Sequence, residues 1–159
     1  MKINLMYGTD SEQINGYTNI HPFTLEETDE LIRGDIKNLD FIVDDAEVEE
    51  IIATDVVDYI SVQDIEQVVE NWVGKLHHEG TIIIGGVDFL EVCKSVTRRE
   101  IEMDDVIKMI HGVQDKPYLI KRNNLTCGLL AEYLNQRYGL KIIKKRSEGF
   151  KYIVEAKRP

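Results

Sequence analysis

The stretch from Trp72 to Asp88 constrains the fold most strongly, because an amphipathic helix runs into a short apolar strand there. Residues 81–84 (TIII) favour β-structure and are followed by Gly85-Gly86. A continuous apolar run between glycines is typical of a strand covered on both faces, since a strand with one wet face alternates polar and apolar residues. The pattern predicts a central strand of an α/β sheet, whose glycine end marks the edge where such sheets bind ligands.

The rest of the chain predicts one α/β domain over residues 1–159. Short strands are predicted at 2–7, 17–20, 31–32 and 51–53, then a helix over 62–76, the central strand, three further helices and a closing hairpin. This order contains no internal repeat and no linker. The polar residues 8–16 are too few for an ordinary crossover helix, so the first two strands form either a hairpin on Asn15-Gly16 or a shortened parallel crossover.

The charge of the chain is negative and unevenly distributed. Its net charge is −10, yet residues 116–159 carry 11 Lys and Arg against 3 acidic residues. The overall sign disfavours nucleic acid as a partner. The uneven distribution indicates either a solvated surface with a basic last hairpin or a protein partner bound through charged faces. No apolar run reaches membrane length and no signal peptide is recognisable, which predicts a cytoplasmic protein.

The metal-binding residue types are not arranged as a metal site. Cys93 and Cys127 lie in apolar helical patterns and are predicted to be buried thiols. The adjacent His77-His78 would point about 100° apart on a helix and could not share an ion. Residues 44–47 lack the spaced ligands of a calcium loop. We therefore expect no bound metal.

Short motifs recur in a fixed order along nearly the whole chain. They are WVGKLHHEG at 72–80 with GGVD after the strand, INLMYG at 3–8, GYTNIHP at 16–22, GDIKNLDF at 34–41, EEIIATDVVDYI at 49–60, IHGVQ at 110–114 and the closing EAKRP. The series resembles class I S-adenosylmethionine-dependent methyltransferases. It is similar to the family patterns W-x-x-x-L-K-P-G-G-x-L, LNLGCG, GYINIDxxP, ADLxxLPF, DEIYASHVLEHI, LYGGQ and EARRP. Each motif is short, and their order and spacing carry the resemblance.

The resemblance implies a doubly wound, mainly parallel seven-stranded sheet with an antiparallel C-terminal hairpin and helices on both faces. S-adenosylmethionine would lie across the carboxyl ends of the first strands, while the methyl acceptor, a small molecule or a protein, stays open. Such an enzyme mainly orients the nucleophile and the methyl group, and sometimes supplies a base. The implied catalytic candidates are Asp55 and Tyr59. The implied cofactor-binding residues are Tyr7, Gly8, Thr9, His21, Asp35, Ile36 and Asp55.

The sequence also departs from the family at the cofactor loop. Met6 and Tyr7 replace the first glycine and its neighbour, and His21 stands where a carboxylate would bind the ribose, whereas Gly8 and Asp35 are retained. Two functions therefore stay open. The chain is either a small S-adenosylmethionine-dependent methyltransferase or a catalytically inactive relative that acts as a binding or assembly module, with side chains filling the pocket.

Overall fold

Seven strands form one mixed sheet in the computed structural model, which describes residues 1–159. In chain order they are β1 Lys2–Leu5, β2 Thr18–His21, β3 Leu31–Arg33, β4 Val48–Thr54, β5 Leu76–Val87, β6 Lys141–Glu148 and β7 Lys151–Lys157. Their spatial order is β3-β2-β1-β4-β5-β7-β6. The first five are parallel, and β7 runs antiparallel to both β5 and β6. The predicted fold class, with its antiparallel closing hairpin, is confirmed.

Four α-helices accompany the sheet. They are α1 Ile65–Lys75, α2 Phe89–Thr97, α3 Met103–His111 and α4 Cys127–Tyr138, and a 3₁₀ turn covers Val57–Tyr59. Helix α4 begins later than an asparagine cap at 123 or 124 would place it, because the Thr126 hydroxyl accepts a hydrogen bond from the Leu129 amide at 3.3 Å. It ends at Gly139, as predicted, with φ +67° at this C-terminal glycine.

One face of the sheet carries the hydrophobic core. In-register rows such as Ile3–Ile51–Ile82 and Ala53–Ile84–Val154 are fully buried and pack with residues of α1 and α4. Trp72 of α1 is completely buried, and its indole N–H donates to the Ile36 carbonyl at 2.7 Å. This bond fixes the loop after β3, which contains no helix, on the same face.

The opposite face of the sheet carries no helix, which differs from the expectation of helices on both faces. On β5, Ile82 and Ile84 are buried while Thr81 and Ile83 are only half-buried, so this strand is fully covered on one side. The physical reason is that the connections between β1, β2, β3 and β4 contain no α-helix. An alternating burial pattern can therefore arise even where the sequence is continuously apolar.

The connection between β1 and β2 is the shortened crossover of the two predicted alternatives, because these strands are parallel. Two buried asparagines hold it in place. The Asn4 amide donates to the Asn19 side-chain oxygen at 2.7 Å and to the Glu12 carbonyl at 2.8 Å, and Asn19 bonds the backbone of Ile14 in both directions. A crossover helix would satisfy its backbone polar groups with internal hydrogen bonds. In this loop the two asparagine side chains satisfy several of them instead.

Two further sequence expectations can be compared with the structure. Both cysteines are free, and Cys93 is exposed while Cys127 is half-buried, so the prediction of a buried thiol is wrong for Cys93. Its position on the outer side of the short helix α2 explains the error, since only Val92 of that helix is fully buried. Among the helices, none has both the length and the apolar character needed to span a membrane.

Candidate functional site

Five rings, which we name the aromatic cluster, gather above the carboxyl ends of β1 and β2. They belong to Tyr7, His21, Phe23, Tyr59 and Tyr118. Phe23 and Tyr118 stack with ring centroids 4.2 Å apart, and Tyr7 lies 5.0 Å from Tyr59 and 5.7 Å from Phe23. Offset and edge-on pairs at these distances attract one another. The cluster therefore fills the space above the first two strands with mutually supporting rings.

Short backbone connections place these rings. Tyr7 follows β1 directly, and His21 ends β2, where its Nδ1 accepts a hydrogen bond from the Phe23 amide at 3.0 Å. Burial, with the nearby Lys116 charge, lowers the pKa of His21, so its ring is neutral and able to accept this bond. Tyr118 comes from the long connection after α3 and closes the cluster from above.

Asp58 anchors the connection that carries Tyr118. Its carbonyl accepts hydrogen bonds from the Arg122 and Asn123 amides at 2.8 and 3.1 Å, and its carboxylate lies 3.3 Å from the Lys121 ammonium. Both side chains of this ion pair are almost completely buried. Burial raises the pKa of Asp58, and its Oδ1 has no hydrogen-bond partner. The pair thus ties the 3₁₀ turn after β4 to the loop that brings Tyr118 over the site.

The side chain of Asp55 fills the space beside Gly8. A Cβ at this position would lie 1.9 Å from Asp55 Oδ2, so only glycine fits. Asp55 itself has φ +56°, accepts the Gly8 amide on its carbonyl at 3.1 Å and accepts the Asp10 amide on its carboxylate at 3.0 Å. Burial raises the pKa of Asp55 to about 6, against the opposing effect of the Asp10 bond. The close approach that Gly8 permits is therefore made by a carboxyl group of the chain.

Asp35 and Ile36 belong to the loop after β3. The Asp35 side chain is exposed, and its Oδ1 accepts a hydrogen bond from the Lys37 amide at 2.8 Å, which closes a turn. Ile36 is buried in the core. These two residues, which the resemblance implied for cofactor binding, thus have structural contacts of their own.

A cavity of about 570 Å³ opens on the other side of β4, over the ends of β4 and β5 and the start of β7. Three of the predicted site residues, Thr9, Asp55 and Tyr59, line it. Its walls also include apolar side chains and three lysines, one of which, Lys121, lies 5.8 Å from the centre of the Tyr59 ring. The remaining lining residues are Asp10, Thr54, Gly85, Gly86, Val87, Lys108, Met109, Gly112, Val113, Glu148, Phe150, Lys151, Tyr152 and Ile153.

Five of the predicted site residues are divided between two places, and Gly8, Asp35 and Ile36 lie in neither. Tyr7, His21 and Tyr59 meet in the aromatic cluster, whereas Thr9, Asp55 and Tyr59 face the cavity. Sequence reasoning missed Phe23, Tyr118 and the Asp58–Lys121 pair. The spacing of Asp55 and Asp58 gave a usable signal, since two carboxylates three residues apart after a buried strand are both held near that strand's end. No local signal marks Tyr118, which lies about a hundred residues from Phe23 in the chain.

Comparison with known proteins places this geometry in a fold family. A chain from the Haloferax volcanii complex that contains the Trm112 methyltransferase activator shares 13% identity over 99% of this chain and 82% of its own length, with a TM-score of 0.65. A SAM-dependent methyltransferase from Methanosarcina mazei shares 10% identity over 99% and 92%, with a TM-score of 0.62. The chain has the class I methyltransferase fold.

The extent of the likeness differs among solved structures. An O-methyltransferase family protein from Burkholderia thailandensis matches 81% of this chain at 12% identity and a TM-score of 0.54, and this chain spans 35% of that protein's length. No protein-family model matches the sequence, and no curated protein matches it. At these identities the likeness establishes the fold, and the roles of individual residues rest on the geometry of the site.

Proposed function

We propose that this chain is a methyltransferase-fold protein that does not bind S-adenosylmethionine and acts as a binding module. The observation that carries the proposal is the aromatic cluster, because it occupies the carboxyl ends of β1 and β2, across which the family's cofactor is expected to lie. The uneven charge of the chain and the cavity beside the cluster supply surfaces for a binding role.

The residues implied for cofactor binding do not fit the cofactor. The open side of Gly8 is taken by the Asp55 carboxyl group. His21 Nδ1 already accepts a hydrogen bond from the Phe23 amide. An imidazole ring also lacks the two oxygens with which a carboxylate accepts hydrogen bonds from both ribose hydroxyls. Asp35 is engaged in its own turn. A bound cofactor would have to displace the Asp55 carboxyl group from Gly8 and the rings of the aromatic cluster, while Asp35 Oδ2 stays free to accept a hydrogen bond.

The energetic cost of opening the cluster can be approximated from its ring pairs. The Phe23–Tyr118, Tyr7–Tyr59 and Tyr7–Phe23 pairs lie at 4.2, 5.0 and 5.7 Å. Each such pair contributes about 1 kcal/mol beyond buried area, so separating all three costs about 3 kcal/mol. If the cofactor bound only the opened cluster, this cost would weaken its apparent affinity about 100-fold.

The cavity is the place where the module would bind a small ligand. Its volume of about 570 Å³ lies in the usual range for small-molecule sites. Its walls combine apolar side chains such as Phe150 and Ile153 with Asp55 and Lys108, which could orient a polar ligand. A protein partner would instead use the charged surfaces outside the cavity.

One observation favours a second function, that of an S-adenosylmethionine-dependent methyltransferase. Asp55 has its pKa raised to about 6 and lines the cavity beside Tyr59, and a carboxylate with such a pKa suits a general base near neutral pH. Perturbed carboxylates concentrate at functional sites. In that function Asp55 would take a proton from an acceptor held in the cavity.

Calorimetric titration with S-adenosylmethionine and S-adenosylhomocysteine separates the two functions. The native protein is expected to give no binding heat. Micromolar binding, on the order of −8 kcal/mol, would contradict the proposal and support the enzyme, provided that Asp35→Ala weakens it. The double variant Phe23→Ala/Tyr118→Ala removes the stacked pair and serves as a second comparison, because any gain of affinity in it identifies the rings as the obstacle.

A further inference from the structure

The face of the sheet that carries no helix, which we name the open face, is apolar at its centre. Ile52 and Ile83 lie in register on β4 and β5, and Ile153 lies on β7 one row nearer the carboxyl end. All three are only half-buried. In a parallel sheet such a face is ordinarily covered by helices. The β1–β2 crossover covers only the part of this face that carries Asn4 and Asn19. Over β4, β5 and β7 the open face is an apolar surface that no helix of this chain covers.

The rim of the open face is basic. Paired side chains on neighbouring strands share a face, which places three carboxylates, Glu50, Glu148 and Glu155, among the cations there. Lys141 and Lys144 on β6 make no ion pair with any carboxylate. The six cations of this face outnumber its three carboxylates, and they are Lys2, Lys141, Lys144, Arg146, Lys151 and Lys157. A face with positive charge on a chain of net charge −10 favours an acidic occupant.

Helix α3 has the complementary character. Met103 and Ile107 lie one turn apart on the same side of it and are 61% and 46% exposed. Four exposed carboxylates lie at or just before its first turn, and none of them makes an ion pair. They belong to Glu100, Glu102, Asp104 and Asp105. The helix thus presents an apolar stripe with an acidic border.

The two surfaces also agree in size and position. The nine residues of α3 span about 14 Å, which is close to the width of three or four neighbouring strands at about 4.8 Å each. Lys108 and Met109 of α3 line the same cavity as Ile153 of the open face, so the two surfaces lie near each other on the molecule. Neighbouring complementary surfaces on one chain permit a two-fold pair in which each copy contributes both.

We propose that this protein forms a two-fold symmetric dimer in which α3 of each copy lies across the open face of the other. Met103 and Ile107 of one copy then cover Ile52, Ile83 and Ile153 of its partner, and the acidic border of α3 faces Lys141 and Lys144. The occupant is a second copy because the chain itself carries the acidic apolar helix that the basic apolar face requires. Neither surface includes a ring of the aromatic cluster, so the proposal does not depend on whether the cofactor binds. Ile153 also lines the cavity, so the interface borders the cavity.

A charge-reversal experiment tests this arrangement. The helix-reversed variant is Asp104→Lys/Asp105→Lys, and the sheet-reversed variant is Lys141→Glu/Lys144→Glu. All four positions are exposed, so both variants are expected to fold. By sedimentation equilibrium at low salt, where charge effects are least screened, the native protein is expected to dimerise and each variant alone to dimerise at least about tenfold more weakly. An equimolar mixture of the two variants is expected to regain dimers, because both of its interfaces pair opposite charges.

Two further proteins complete the experiment. Ile107→Glu places a charge in the apolar stripe and is expected to abolish the dimer, whereas Leu25→Glu changes a residue that is 94% exposed outside both surfaces and is expected to leave it intact. A native protein that stays monomeric through the micromolar range would overturn the proposal. A dimer that survives both charge reversals and Ile107→Glu would overturn it equally, because its interface would then lie elsewhere.

Discussion

The carboxyl edge of the sheet has two halves that differ in how their space is used. Over β1 and β2 the aromatic cluster packs ring on ring, with centroid distances down to 4.2 Å. Over β4, β5 and β7 a cavity of about 570 Å³ stays open. Asp55 and Tyr59 stand between the halves, since the carboxyl group of Asp55 contacts Gly8 and the ring of Tyr59 contacts Tyr7, while both residues line the cavity. The two halves differ because side chains of the chain fill the space over β1 and β2, whereas the space over β4, β5 and β7 is open.

The largest expected effect on stability follows from removing the ring of Tyr59, which lies between the aromatic cluster and the cavity. This residue is 4% exposed and packs against Tyr7, so Tyr59→Ala should leave a cavity and lower the free energy of unfolding by about 3 kcal/mol. Urea denaturation measures the change. Tyr59→Phe keeps the ring and is the matched control, with an expected change within about 0.5 kcal/mol. Equal losses of stability in Tyr59→Ala and Tyr59→Phe would mean that the hydroxyl of Tyr59, and not its ring, makes the stabilising contact.

The next effect concerns the carboxyl group of Asp55. Burial raises its folded-state pKa to about 6 from the ordinary 3.8, so the folded state holds the proton more tightly than the unfolded state does. The ionised group therefore lowers stability as the pH rises from about 4 to about 6, and this penalty is fully present above that range. Asp55→Asn removes the charge and suits the positive φ, so it should stabilise the protein by about 2 kcal/mol at about pH 7.5.

The pH dependence of that difference is the check on its cause. Thermal or urea unfolding of both proteins is compared at about pH 7.5 and about pH 4. The advantage of Asp55→Asn should fall to a small fraction of its value at the lower pH, because Asp55 is then protonated in the folded state and about half protonated in the unfolded state. An advantage that stays constant with pH would instead assign the effect to packing or to the backbone.

A smaller effect is expected within the aromatic cluster. Phe23 and Tyr118 stack at 4.2 Å, and Phe23 is 41% exposed, so each alanine variant should cost only about 1 kcal/mol. A double-mutant cycle of Phe23→Ala and Tyr118→Ala should give a coupling energy of about 1 kcal/mol. Additive effects in urea denaturation would show that the two rings do not stabilise each other. Other contacts would then stabilise the aromatic cluster.

The smallest effect is expected at the mouth of the cavity. The Lys151 ammonium lies 2.5 Å from the Asp10 carboxylate, and both side chains are more than half exposed. Exposed pairs of this kind contribute little, so Lys151→Ala should change the free energy of unfolding by less than about 0.5 kcal/mol. The change should disappear when the urea titration is repeated at high salt, because salt screens exposed charges. A larger or salt-independent change would indicate that Lys151 packs on the cavity wall.

Most of the fold was predictable from the sequence, and the reasons are local. The apolar run at 81–84, the stripe of α1 and the glycine at 139 each specify an element by periodicity or by backbone conformation. The order of the motifs then predicted the topology. The bare second face was not predictable from the TIII run, because Ile83 is apolar although no helix covers it. Short parallel crossovers such as residues 6–17 depend on the buried Asn4–Asn19 pair, which no sequence pattern announces.

The candidate site was predictable only in part. Asp55 and Tyr59 were candidates because the family resemblance implied them, and both line the cavity. The filling of the cofactor side was anticipated at Tyr7 as one of two alternatives, and the structure places Tyr7 among the rings of the cluster. Tyr118 and Lys121 belong to a connection far along the chain, and contacts at such separation follow from packing of the whole domain. The assignments of Gly8, His21, Asp35 and Ile36 to a cofactor remain predictions.

The most direct test of whether the aromatic cluster blocks the cofactor side is a titration of the isotope-labelled protein with S-adenosylhomocysteine, followed by ¹H–¹⁵N correlation spectra. We expect the amide signals of Tyr7, Gly8, His21 and Asp35 to keep their positions at micromolar ligand concentrations, because the rings and the Asp55 carboxyl group already occupy that space and opening the cluster weakens binding about 100-fold. Saturable shifts at these four amides in the micromolar range would contradict this expectation, and would show that the cluster opens readily to admit the cofactor.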